Sequence, residues 1–168
     1  SGYSLLHLMI GSEGTLGIIT ELTMKLVPKP ERDVSLILPF ADVESCIAAV
    51  PKIKLANLDP QSIEFMEADI VKSSAAFTGN PVFPTEVNGR EVGASLLVTF
   101  VGSTEDELYM KMEKLADVVE AAGAYDVLVV DTPTLKKEVW AARSSFLTAI
   151  EADTKMLAEM DVVVPVDR

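Results

Sequence analysis

Apolar and polar positions alternate along Leu16–Leu26, where Leu16, Ile18, Leu22, Met24 and Leu26 interleave with Gly17, Glu21, Thr23 and Lys25. A period of two predicts a long, half-buried strand. Pro28 and Pro30 end it, and residues 28–33 read as a boundary. Beyond that boundary Val34–Phe40 reads as a strand. Ala41–Val50 reads as a helix with Val43, Cys46, Ile47 and Val50 on one face, disturbed at Pro51. Ser62–Met66 predicts a short strand and Glu67–Ala76 a helix, while residues 78–90, with two glycines and two prolines, read as a loop. Ala94–Val101 is the clearest buried strand.

The strongest helix signal runs from Ser103 to Gly123. Ser103 and Asp106 make a capping-box pattern, and Leu108, Met112, Leu115 and Val119 share one face. Tyr125–Val130 predicts another strand. Thr132 can cap a second long helix with Pro133 at its first position, and Met160–Val164 reads as a final strand. From residue 33 onward this order predicts an α+β fold: a ferredoxin-like, split βαβ antiparallel sheet with helices on one face, preceded by a terminal strand.

Composition narrows the possible partners. At 168 residues and 49% hydrophobic content the chain can build a proper core. A net charge of −12 argues against nucleic acid and against an anionic membrane surface. No apolar run approaches the ~20 residues that span a bilayer, and a cytoplasmic setting is the expectation. The chain does not begin at a methionine and reads as an excised segment. The single cysteine, Cys46, rules out a disulfide framework and reads as a small core residue.

Candidate chemistry concentrates in Gly11-Ser12-Glu13-Gly14-Thr15-Leu16-Gly17-Ile18-Ile19-Thr20. Glycines three residues apart feed into β-branched residues, giving a backbone-exposed turn whose N–H groups can cradle an anion. Neither the dinucleotide fingerprint nor the P-loop fits this spacing. The segment Gly2–Pro30 resembles the end of the FAD-binding domain of FAD-linked oxidases of the vanillyl-alcohol-oxidase superfamily, nearest the D-lactate, glycolate and D-2-hydroxyglutarate dehydrogenases. Trp140-Ala-Ala-Arg143 and Asp161-Val-Val-Val-Pro165 resemble the start of that family's substrate, or cap, domain. The resemblance assigns residues 1–30 to the C-terminal piece of a PCMH-type FAD-binding domain and residues 31–168 to the N-terminal part of the cap domain.

From the same resemblance, Glu13, Gly14, Thr15, Leu16, Gly17, Ile18 and Ile19 line the FAD site through backbone N–H groups and the Thr15 hydroxyl. A carboxylate repels a pyrophosphate, so Glu13 is better suited to capping the local backbone. Arg143 is the first substrate-binding candidate, since a planar bidentate cation suits the carboxylate of a 2-hydroxy acid. Trp140 precedes it by three residues on the same helix face, with Leu147 beyond, and Thr148 completes the substrate set. The bland reading of Arg143 is a surface cation stacked on Trp140.

The hydroxyglutarate members carry a Thr one turn after the Arg and a Lys shortly before the strand Asp. Leu147 and Glu159 stand at those places here, which tilts the expected substrate toward a monocarboxylate such as D-lactate or glycolate. The implied activity is oxidation of a small 2-hydroxy acid by hydride transfer to flavin, with the chain alone expected to be inactive. The stretch Glu151–Pro165 is similar to bacterial members that use an electron-transfer flavoprotein, which is the partner implied. His7, the only histidine, reads as packed rather than catalytic. The family's catalytic and metal-binding histidines belong to a segment not matched here, so no catalytic residue and no metal site are assigned. The rival readings are a stand-alone ferredoxin-like small-molecule-binding or regulatory module, and an ether-lipid-forming flavoenzyme of the same superfamily.

Overall fold

Two nine-residue strands explain why the central sequence is so continuously apolar. A computed structural model describes residues 2–160 and 162–165. In chain order its elements are α1 (Leu5–Met9), β1 (Arg32–Phe40), α2 (Val43–Leu55), β2 (Ser62–Glu67), α3 (Ala68–Thr78), β3 (Glu86–Val87) and β4 (Arg90–Glu91), then β5 (Ala94–Gly102), α4 (Glu105–Glu120), β6 (Leu128–Val130), α5 (Pro133–Ser144) and α6 (Phe146–Asp153). The main sheet has the order β2-β5-β1-β6, antiparallel throughout. Each of the two crossovers, β1-α2-β2 and β5-α4-β6, therefore straddles one intervening strand, which is the split βαβ arrangement.

Directly paired residues of an antiparallel sheet share a face. Val34, Leu36, Leu38 and Phe40 pair with Phe100, Val98, Leu96 and Ala94. Together they pack against Cys46, Ala49 and Ile53 of α2 and Leu108, Leu115 and Val119 of α4. The opposite face carries Ile37, Leu97, Met66 and Val130 and is covered by Val71 of α3 and Val139 and Ala142 of α5. Helices α2 and α4 thus take the one face the split pattern requires, and α3 and α5 add a second layer. With both faces covered, β1 and β5 have no solvent-facing side, hence apolar runs broken only by the small buried hydroxyls of Ser35, Ser95 and Thr99.

Gly93 marks where β5 meets the turn after β1. A Cβ there would stand 2.3 Å from the Ala41 carbonyl oxygen, so no side chain fits. Its N–H donates to Phe40 and its carbonyl accepts from Ala68, tying three elements together.

Several sequence expectations change in detail. Pro51 does not end α2, which continues to Leu55. The carbonyl deprived of its donor belongs to Ile47, an exposed residue, so water can satisfy it. The buried stripe of this helix is accordingly Cys46, Ala49 and Ile53, not Ile47. Residues 78–90 contain the β3–β4 hairpin, turned by Asn88 and Gly89 at φ 51° and 74°. Thr104, not Ser103, caps α4: its hydroxyl accepts from the Glu107 N–H at 3.2 Å, while Glu107 accepts from the Ser103 N–H at 3.0 Å. The expected strand over Leu16–Leu26 does not form, because a strand needs a ladder partner and no described residue supplies one. Met160 and Val162–Val164 likewise stay outside any ladder and exposed, and Asp161 lies outside the described residues.

Candidate functional site

Two separate regions hold the residues singled out from the sequence. The first is the turn after α1. Gly11, Glu13 and Gly14 adopt φ of 81°, 50° and 78°, the left-handed region that glycine takes without strain. The Ser12 N–H donates to the Met9 carbonyl, and the Thr15 N–H donates to the Ser12 carbonyl at 2.9 Å. The Thr15 hydroxyl donates to that same carbonyl at 2.6 Å, so its proton serves the turn. Leu16, Gly17, Ile18 and Ile19 follow in irregular, exposed backbone, and their amides make no backbone hydrogen bond with any described residue.

The turn fits the group that the resemblance implies. A Cβ added at Gly11 or Gly14 would meet nothing within 4 Å, so the chain's own packing does not explain the glycines. Their positive φ does explain them, and the amides of Leu16–Ile19 stay open, as backbone that would hold an anionic dinucleotide would have to be. Glu13 sits in the turn with its carboxylate exposed.

The second region lies on the sheet face covered by α3 and α5. Thr132 caps α5 by accepting from the Leu135 N–H at 3.2 Å, with Pro133 in the first turn. Val139 and Ala142 are buried on one side of the helix. Trp140 and Arg143 adjoin that stripe and are exposed. The helix is interrupted at Ser145, whose hydroxyl lies 2.7 Å from the Ala142 carbonyl, competing for the acceptor of the next turn. Ser74 of α3 reaches the same carbonyl at 3.0 Å and the Ser145 hydroxyl at 2.8 Å. Leu147 and Thr148 consequently sit on α6, beyond the break, and both are exposed. The single face shared by Trp140, Arg143 and Leu147 in the sequence reading is thereby divided between two helices.

Arg143 does not rest on Trp140. Its Nε and Nη2 donate to one oxygen, Oε2 of Glu64, at 3.1 and 2.6 Å. Glu64 projects from β2 in the cross-strand row that contains Leu97 and Ile37. The cation–π contact that does form is Arg90 over Tyr125, 4.0 Å from the ring centroid. The sequence reading missed Glu64, because its partner is 79 residues away and only the β2–β5 register reveals that it faces α5.

Cys46 and His7 remain. Cys46 is fully buried. Burial, and secondarily the Asp42 charge, pushes its thiol up to about 12, so it stays protonated and inert. His7 lies on α1, where its backbone N–H donates to the Ser4 hydroxyl, and it is exposed rather than packed as expected, because α1 buries no residue. Among the described residues no group of three or more His, Cys, Asp or Glu side chains converges as a metal site. No described helix is long and apolar enough to cross a membrane.

The chain therefore presents an open turn ahead of an α+β body and, on that body, an exposed arginine paired with Glu64. Comparison with known proteins makes this specific. Residues 29–168 match the family described as FAD linked oxidases, C-terminal domain, and the chain belongs to that family. It is 55% identical over all its 168 residues to a D-lactate dehydrogenase of Anaerostipes hadrus, covering 35% of that protein. It is 36% identical over 132 residues, 79% of this chain and 27% of the relative, to a D-lactate dehydrogenase of Archaeoglobus fulgidus. A glycolate oxidase subunit GlcD of Bacillus subtilis is 32% identical over 152 residues, 89% of this chain and 30% of that subunit. The chain thus spans about a third of the length of these relatives.

Proposed function

We propose that this chain forms part of an FAD-dependent oxidoreductase that oxidises a small 2-hydroxy acid of the D-lactate or glycolate class. In this reading residues 1–30 complete the FAD-binding domain and residues 31–168 begin the cap over the substrate. The observation that carries it is Arg143: a guanidinium held at the sheet surface, in a chain whose relatives are named for D-lactate and glycolate. Bound FAD supplies the two-electron acceptor for the hydride leaving C2. The protein's part is to hold and orient.

Arg143 takes the substrate carboxylate through its remaining N–H groups and so fixes the C2 end relative to the cofactor. Trp140, one turn earlier on α5, gives the adjoining apolar wall, and Thr148 offers a hydroxyl from α6. The open amides of Glu13, Gly14 and Leu16–Ile19 face the anionic part of the dinucleotide. The acceptor downstream of the flavin is an electron-transfer flavoprotein, and the setting is the cytoplasm.

Steady-state kinetics of the complete FAD-loaded enzyme carrying Arg143→Ala tests the reading. Loss of a charged hydrogen-bonded contact costs about 1.5–3 kcal/mol, or roughly ten- to hundredfold in kcat/KM for D-lactate. Unchanged oxidation of 2-hydroxy acids would remove Arg143 from the substrate site and favour a ferredoxin-like module that takes no part in the reaction.

A further inference from the structure

We propose that Glu64 positions Arg143 and sets the charge of the anion it accepts, admitting a small monocarboxylate and turning away a dicarboxylate. This rests on Arg143 being the substrate arginine. The pair is unequal in exposure: the arginine side chain is 45% exposed and the glutamate 26%, so the carboxylate is the backing and the guanidinium the presented surface. Both bonds from Arg143 converge on Oε2. They spend the Nε edge of the fork, and Nη1 has no hydrogen-bond partner among the described residues. That geometry leaves the Nη1–Nη2 end of the fork to meet one carboxylate end-on.

Both partners hang from fixed backbone. Glu64 sits within the β2–β5 ladder opposite Leu97. Arg143 follows the fully packed Ala142, whose carbonyl is gripped by Ser74. A long, flexible arginine is thereby aimed before any anion arrives, which reduces the ordering cost of binding.

The electrostatic consequence follows from the count of charges. Glu64 and Arg143 together are neutral, and among the described residues Glu64 makes no second ion pair. A monocarboxylate loses little, because it meets the guanidinium directly. A second carboxylate on the same small molecule gains nothing from a pair that is already neutral and feels Glu64 at close range. Glu64 is therefore a specificity device built on repulsion, acting beside the attraction of Arg143.

Glu64→Gln keeps an oxygen to accept from Arg143 but removes the charge, whereas Glu64→Ala removes both. In the complete FAD-loaded enzyme, isothermal titration with propionate and succinate measures monoanion and dianion binding without turnover. Glu64→Gln is expected to shift the ratio of the two dissociation constants at least tenfold toward succinate, with propionate moving less than threefold. Glu64→Ala is expected to weaken propionate at least tenfold and to raise KM for D-lactate with kcat within twofold. An unmoved succinate-to-propionate ratio in Glu64→Gln overturns the proposal, and that variant decides the matter if the alanine variant fails to fold. If Arg143→Ala weakens both anions while the Gln ratio stays put, only the role of Glu64 fails. If Arg143→Ala changes neither, the substrate reading fails with it.

Discussion

At the scale of single residues, buried polar groups here are matched rather than isolated. Ser35 and Thr99 face one another across β1 and β5 on the layer beneath α5, with their hydroxyl oxygens 2.9 Å apart. Both are buried, so each hydroxyl depends on the other. Removing one partner strands the second without water, at about 1–3 kcal/mol, whereas replacing both by apolar groups of similar shape is nearly neutral. Ser35→Ala is accordingly expected to lower stability in urea titration by that amount. The double variant Ser35→Ala/Thr99→Val should recover most of it, and a double variant as weak as the sum of the singles would show that the pair is not coupled. The same scale shows the limit of sequence reading. Arg143 was legible because its residue type and its place after Trp140 carry chemistry. Glu64 was not, since an acidic residue in a short strand looks like any solvated position until the register places α5 above it.

At the scale of elements, the pattern of apolar positions located all four strands of the main sheet and the order that makes it a split sheet. It failed where an element depends on something other than its own periodicity. Asn88-Gly89 carried a hairpin signal, but two-residue strands have no pattern to read. The alternation of Leu16–Leu26 is a true strand pattern that lacks a ladder partner among the described residues. The break between α5 and α6 arises from hydroxyl groups converging on one carbonyl, which periodicity does not register.

The sequence signal starts α4 one residue early because Ser103 and Thr104 are both good caps. The distinction is made by Glu107, which accepts from Lys111 at 2.9 Å and from the Ser103 N–H. The Lys111 hydrogen bond first, then the Ser103 N–H, hold the Glu107 carboxyl below its ordinary value. A carboxyl whose pKa is lower in the folded state stabilises fully above the unfolded value and loses that contribution as pH falls through the folded one. Urea midpoints of the parent and Glu107→Gln should therefore differ most near neutral pH and converge below about pH 4. A gap of equal size at pH 3 and pH 7 would assign the effect to shape rather than charge.

At the scale of the whole molecule, the chain divides into a folded body and an unpacked lead-in. Every buried core residue lies between Val34 and Ala149. By contrast Tyr3, Leu5, Leu6, Ile10, Ile18, Leu22, Met24, Leu26 and Val27 are each more than 60% exposed. So much large apolar surface in one stretch is uncommon on a monomer and signals a missing counterpart. The proposed boundary near residue 30 accounts for it, because those side chains then belong against an FAD-binding domain. The polar contacts that close the body begin just after the boundary, with Arg32 to Glu105 at 2.7 Å and Lys136 to Asp33 at 2.8 Å. Deleting residues 1–28 should consequently leave the urea midpoint and the cooperativity of unfolding unchanged, since no packed side chain is lost. The shortened chain should also stay monomeric at concentrations where the full 168 residues associate, as read by light scattering. A clear fall in midpoint on deletion would mean that the lead-in packs on the body, and the boundary would have to move toward the amino end.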